Sequence, residues 1–413
     1  MRNTTGSAAV TLQDVASVGG LAVNHIVLLL YVQLGFIDRL QQLALGTTQA
    51  RYVLAAMGLA GFTTSLAAPG LLRARHPVTP LRLGFGVSFV AIALSLASEA
   101  LPLLVLSAAG MGLGVSLSYI CLVAAARPSF RVERVGMKVG LGTGLAYAIG
   151  SVPWLFLASP EAKGLASLVA CALGVGMTFV PRDAASSERL TTEGGEPEPE
   201  KEPAGFWPIL AIFFALIWLD SGAFAVIMST PTLKAASWGT ELLQWRNSAL
   251  HLGSALLGGW LIDRGRLRST LVLSYVLIVF AIQLLQHSPS LAPLASVGYV
   301  SAASLYTVAL FAYAPACLGP RRDTRLHGRW ILFTLAAWVG STLGIGMVQD
   351  LHFVPSWVMV VAGLVVGSAL LVREEGPKSS TALPWLPSSV KFSGESQAVS
   401  RTPMAGHSSP RSE

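Results

Sequence analysis

Three ionisable side chains sit where this chain is otherwise too apolar to hold charge comfortably. Asp220 falls in the middle of "IFFALIWLDSGAFAVIM", residues 212 to 228. An ionised carboxylate in hydrocarbon costs roughly 3 kcal/mol even on lenient insertion scales, so such a group is neutralised, paired or reached by water. His25, preceded by Asn24, lies in "GGLAVNHIVLLLYV", and His251 lies in "SALHLGSALLGG". A carboxylate beside an imidazole can change charge near neutral pH, which points to proton binding or to recognition of a polar solute. The plainer alternative is a buried Asp220 hydrogen-bonded to Ser221 or to a helix backbone, with both histidines as satisfied packing residues.

Elements that could place these groups together follow from composition. Hydrophobic residues make up 53% of the chain and charged ones 12%, about half the charged share of soluble proteins, so this is a membrane protein. A bilayer core needs about 20 apolar residues per helix. Runs of that kind lie near 16–37, 51–72, 83–100, 102–126, 137–158, 163–181, 207–230, 242–262, 270–287, 292–317, 330–349 and 353–372, which makes twelve expected spans. The N-terminus runs into the first span without a small-residue cleavage site, so no removable signal is expected.

Lys and Arg test that map. The connections after spans 2, 4, 8 and 10 read "LRARHPVTPLR", "ARPSFRVERVGMK", "DRGRLRS" and "PRRDTRLHGR", whereas the alternate connections hold Arg39, Arg51, Lys163, Lys234 and Arg246. Positive charge is retained on the cytoplasmic side, so both termini and the even-numbered connections are expected there. At 1.5 Å per residue, Asp220 lies roughly 20 Å into span 7, near the midplane, and Asn24, His25 and His251 reach a comparable depth. Residues 182–205 are rich in Glu, Pro, Ser and Gly and cannot bury a core; they are expected to be a flexible cytoplasmic linker. It would join six-helix bundles at 1–181 and 206–373, followed by a disordered cytoplasmic tail at 374–413. Internal matches support duplication: "LSYICLVAAARP" and "SLYTVALFAYAP" align at an offset of 187, and His25 with Asp220 and Arg51 with Arg246 at 195.

Several chemistries are excluded. The formal charge of +7 is scattered between apolar runs without a basic domain, which argues against nucleic acid. There is no phosphate-binding Gly-x-x-x-x-Gly-Lys-Ser/Thr loop, no HExxH and no CxxC, so neither a nucleotide-driven pump, a metalloprotease nor a thiol oxidoreductase has its parts. Cys121, Cys171 and Cys317 sit in apolar stretches and are expected to stay unpaired thiols. No cofactor is expected.

The most specific pattern is "GGWLIDRGRLRST", residues 258 to 270. Gly259, Leu261, Asp263, Arg264, Gly265 and Arg266 resemble the Gly-x-Leu-x-Asp-Arg-x-Gly-Arg signature of the major facilitator superfamily, shortened by one residue between Arg and Gly. The resemblance implies an all-α polytopic membrane protein, twelve transmembrane helices in two pseudo-symmetric bundles, in a bacterial inner membrane. It makes Gly259, Asp263, Arg264 and Arg266 a cytoplasmic gate. Spans 1, 4, 7 and 10 line the cavity in that family, so His25, Asn24, Tyr119, Asp220, Ser221 and Tyr306, with His251, form the expected site in a water-reached chamber. Tyr119 and Tyr306 are equally readable as packing residues. Arg51 and Arg246 recognise an anionic solute or extend to the interface. The loop after span 2 keeps Gly70, Leu72, Arg73 and Arg75 without the Asp, and span 4 lacks the Arg of many proton-coupled members. The glycines of span 5 are sufficiently explained by close helix packing.

The expected activity is secondary active transport of a small organic solute by alternating access, coupled to protons, in a monomer partnered by the lipid bilayer, with no nucleic acid and no enzymatic step. Two alternatives stand beside it. One is a transporter-shaped sensor or assembly factor that no longer transports. The other is a copper importer using His25, Cys121, Met228 and His251, although these lack the spacing of a tight metal pair.

Overall fold

In lipid a backbone satisfies its hydrogen bonds internally, and a helix does so within one segment. The structure is a computed structural model that describes residues 12–74, 78–126, 135–180, 206–317 and 324–371; among them it contains helices and no strands. The expected linker at 182–205, the tail at 374–413, and Arg75 in the loop after span 2 lie outside the described residues.

The first span is continuous from α1, Leu12–Ile26, through a π-helical stretch, Val27–Gly35, into α2, Phe36–Gln42. In the wider turns the Phe36 N–H donates to the Tyr31 carbonyl. Next come α3 Thr47–Ala74, α4 Val78–Ala97, α5 Leu101–Ala126, α6 Val135–Gly150, α7 Pro153–Phe156 and α8 Pro160–Met177. The second half comprises α9 Phe206–Ser229, α10 Pro231–Trp238, α11 Glu241–Asp263, α12 Leu267–His287, α13 Ala292–Cys317, α14 Thr324–Leu351 and α15 Ser356–Leu371. Among the described residues six helices are long and apolar enough to cross a membrane, and α15 is a shorter apolar helix. Besides shifts of a few residues at helix ends, two departures from expectation concern the connections. The fifth span stops at Gly150 and restarts at Pro153, because proline fixes φ and lacks the N–H that would continue the ladder. The short α10, begun by Pro231, extends beyond the seventh span.

Two apolar clusters organise the packing. One draws only on residues before 180, including Tyr31, Phe36, Phe85, Met111, Cys121 and Cys171. The other is built mainly from residues after 206, including Phe213, Leu216, Ile278 and Tyr306. Cys121 and Cys171 are free thiols buried in the first. Within the first group α5 packs on α3 and α4, and α1 on α6 and α8; within the second α9 packs on α14 and α15, and α13 on α11 and α12. The groups meet through α6 on α11 and α13, and through α3 and α5 on α14.

Small residues set the closest of these crossings. A Cβ on Gly140 would stand 2.6 Å from the Ala255 carbonyl oxygen, and Gly136 and Gly259 abut each other's carbonyls. Only glycine permits that approach of α6 and α11. On the other crossing the Trp338 indole lies against Gly61 and donates its Nε1–H to Ser116 Oγ at 2.8 Å.

Candidate functional site

Five helices bring the central groups together. His25 on α1 shares a 2.6 Å hydrogen bond between its Nδ1 and the Tyr119 hydroxyl on α5. Its ring meets Tyr147 of α6 at 5.2 Å and Phe311 of α13 at 5.4 Å, both edge-on. Phe311 in turn stacks on Tyr119 at 5.0 Å. His251 on α11 shares a hydrogen bond with Ser304 of α13, 2.7 Å from its Nδ1, and its ring stacks on Tyr147 at 4.4 Å and 9°. The Tyr147 hydroxyl lies 3.2 Å from Thr307 Oγ1. His25 and His251 are therefore brought into one aromatic cluster that joins both halves. Both rings are buried, His25 at 3% exposure and His251 at 8%.

Asp220 stands beside this cluster rather than in it. Its Oδ2 accepts the Tyr306 O–H at 2.7 Å, and the Tyr299 hydroxyl turns toward the same carboxylate. Its Oδ1 is out of reach of solvent and accepts no hydrogen bond. No hydrogen bond joins Asp220 to either imidazole, and the reason is helical periodicity. On α13 the residues Ser304, Thr307 and Phe311 follow a three-and-four spacing that places them on one face, toward His251, Tyr147 and His25. Tyr299 and Tyr306, seven apart, occupy another face, about 200° from Ser304 at 100° per residue. Helix α13 thus serves the imidazoles with one side and the carboxylate with the other. Tyr147 is the side chain shared by the two imidazoles, stacked on His251 and edge-on to His25.

Ser221 turns elsewhere: its Oγ donates to Ser341 Oγ of α14 at 3.0 Å and gives Asp220 no bond. Asn24 is buried, and its Nδ2 has no partner. Tyr147, Tyr299, Ser304 and Thr307 are members that sequence reasoning missed. The available signal was the spacing on α13, 299 to 306 and 304–307–311. Among the described residues no group of three His, Cys, Asp or Glu side chains converges as a metal site.

At the end carrying the basic connections, Asp263 reaches the start of α6. Its Oδ1 accepts from the Gly136 N–H at 2.7 Å and its Oδ2 from the Met137 N–H at 2.9 Å. Two orphan donors of a helix N-terminus meet a carboxylate there, the favourable sign for the helix dipole. The turn that aims Asp263 is closed by Gly265 at φ 75, with Arg266 N–H bonded to Leu261 O and Gly265 N–H to Ile262 O. That pair of bonds is a Schellman stop, which needs a residue in the left-handed region. Arg264 lies 3.7 Å over the Trp260 ring, and both Arg264 and Arg266 are exposed.

The opposite end is also closed by charge. Asp38 accepts from Lys163 at 2.7 Å and, across the two halves, from Lys234 at 3.3 Å. Arg39 caps the end of α4 through Ser95 O and Leu96 O and meets Glu161 at 3.3 Å. Backbone and side-chain hydrogen bonds at its own helix N-terminus, and then Arg39, hold the Glu161 carboxyl below its ordinary range. Arg51 pairs with Asp350 of α14 at 2.9 Å. Arg246 is spent on Pro293 O at 3.0 Å, Asn247 Oδ1 and Ser296 Oγ.

The arrangement of these helices matches that of solved structures. The human organic anion transporter MFSD10 (TETRAN) superposes with a TM-score of 0.61 at 11% identity, over 88% of this chain and 99% of that one. The chain has the major facilitator fold. The same fold is seen in the major facilitator superfamily proton:xylose symporter XylE bound to 6-bromo-6-deoxy-D-glucose, with a TM-score of 0.60 at 11% identity over 87% of this chain and 94% of that one. No protein-family model and no curated protein matches the sequence. In the facilitator fold of this chain, the imidazole cluster and Asp220 occupy the junction of the halves, and Asp263 and Asp38 close its two ends.

Proposed function

We propose that the protein is a secondary transporter that moves a small organic solute across a bacterial inner membrane by alternating access, driven by protons, with both termini cytoplasmic. One observation carries this reading: the Asp220 carboxylate, in the middle part of α9, accepts the Tyr306 O–H and has its second oxygen buried and unpartnered. A carboxyl group in that state exchanges a proton, or a solute's hydrogen-bond donor, without dismantling the fold. Tyr306 is the titratable group bonded directly to it.

Support also comes from the way the centre is sealed. Asp263 on the α6 N-terminus and the glycine crossing close the basic end. The Asp38–Lys234 and Arg51–Asp350 pairs close the other. Each seal consists of a few polar bonds between halves, which can break at one end while the other holds. The substrate and proton site is read as Asp220, Tyr306, His25, His251, Tyr119 and Tyr147, and the gate as Gly259, Asp263, Arg264 and Arg266.

The test is solute accumulation in reconstituted vesicles under an imposed pH gradient. Wild type is expected to concentrate the solute, and Asp220→Asn to insert normally and lose gradient-driven accumulation. Unchanged accumulation in the variant removes Asp220 from the mechanism.

A further inference from the structure

A column of aromatic rings leads from the end of the molecule that carries Asp38 to Asp220. Phe156, on α7, has Lys163 Nζ 5.9 Å from its ring centroid and meets Trp238 of α10 at 5.9 Å. Trp238 also meets Phe224 at 5.9 Å and Tyr299 at 6.2 Å, and Tyr299 turns its hydroxyl to the Asp220 carboxylate. Phe224 lies one turn beyond Asp220 on the same face of α9, four residues on. The column therefore joins both halves and stops at a buried acid with one oxygen unpartnered.

Past its mouth, where Lys163 and Lys234 are paired with Asp38, the column meets charge of one sign. Among the described residues no Lys or Arg bonds to Asp220, His25 or His251, and Arg246 is turned to Pro293 O, Asn247 and Ser296. An anionic solute would meet a carboxylate and no cation, a like-charge juxtaposition that costs several kcal/mol. The side-chain amides beside the column are engaged: Gln244 donates to Trp238 O at 2.5 Å and Asn247 to Ser237 O at 3.3 Å, holding the end of α10. A positive charge on a hydrophobic body suits what remains, because ring faces attract cations and a desolvated carboxylate pairs with them.

We propose that the solute is a monovalent organic cation, an amine or quaternary ammonium on an apolar body, which passes along Phe156, Trp238 and Tyr299 and pairs with Asp220. This rests on the transporter reading and names its substrate class.

The test uses the full chain in detergent, with two probes of one shape, benzyltrimethylammonium and its uncharged carbon analogue neopentylbenzene, and a benzyl anion, phenylacetate. Calorimetry should show saturable binding of the cation, with the neutral and anionic probes at least about tenfold weaker. Asp220→Asn should lose at least about tenfold in affinity for the cation, Asp220→Glu should retain most of it, and Trp238→Leu should lose several-fold. Comparable binding of the neutral or anionic probe, binding of none, or an Asp220→Asn protein that binds the cation as well as wild type overturns the proposal. If a neutral or anionic solute accumulates in vesicles in a manner that requires Asp220, the transporter reading stands and the charge class falls. If no solute of any charge accumulates, the transporter reading itself falls.

Discussion

Replacing Gly140 by Ala should open the basic end of the molecule. The added Cβ would lie 2.6 Å from the Ala255 carbonyl oxygen, 3.3 Å from its carbon and 3.4 Å from Gly259 Cα. A carbon and a carbonyl oxygen tolerate about 3.3 Å, so α6 and α11 must separate by roughly 0.7 Å where they cross. All three contacted atoms belong to backbone, so no side chain can swing aside. Overpacking of this kind costs about 1–3 kcal/mol. If the crossing exists only in the state closed at the basic end, that cost shifts the balance toward the open state by about 5–150-fold. Gly253, on α11 itself, has nothing within 4 Å of its would-be Cβ and supplies the control. Spin labels at Phe179 and Ser269, both exposed, report the separation of the halves near that end once the native cysteines are replaced. Gly140→Ala should move the distance distribution to longer values and Gly253→Ala should leave it unchanged. A Gly140→Ala distribution like wild type, or equal opening by both, refutes the argument from close approach.

Other outcomes follow from the same geometry. Asp38→Asn leaves the Lys163 ammonium, whose side chain is 6% exposed, without its carboxylate, an expected loss of about 3–5 kcal/mol read as a lowered unfolding temperature. Lys234→Met, at a side chain 35% exposed, should cost under about 1 kcal/mol. Asp263→Ala removes the acceptor of two α6 N–H groups; transport kinetics should show slowed turnover with little loss of substrate affinity. Tyr306→Phe removes the single hydrogen bond to Asp220 Oδ2 and should weaken binding of the transported solute several-fold in calorimetry while leaving thermal stability within about 1.5 kcal/mol.

The fold was legible in the sequence because its spans are apolar runs divided by charged or proline-bearing connections, and lipid leaves helix as the outcome. Boundaries moved by a few residues at several helices, and most where local chemistry intervened, as at Pro153, or where a helix outran its apolar core, as in the first span from Asp14 to Gln42. Rise per residue converts position into distance, which gives Asp220, His25 and His251 one expected level. Azimuth was not legible. These helices are apolar around their whole circumference, so hydrophobic periodicity carries little information about which side faces the centre. Asp220 and the imidazoles therefore looked like direct partners until α13 was seen to separate them. Tyr147, Tyr299, Ser304 and Thr307 were passed over because uncharged residues in apolar runs give no warning of a shared network. The buried pairing of Lys163 with Asp38 was hidden for a different reason, because both lie at span ends and read as connecting charges.

Solute-coupled proton movement tests the central claim most directly. Vesicles holding a pH-sensitive dye, with wild-type or Asp220→Asn protein and no imposed gradient, are given an inward solute gradient. The account predicts a solute-dependent change of internal pH with wild type and none with the variant. Solute entering through the wild-type protein with no change of pH, or the variant moving protons as wild type does, would contradict it.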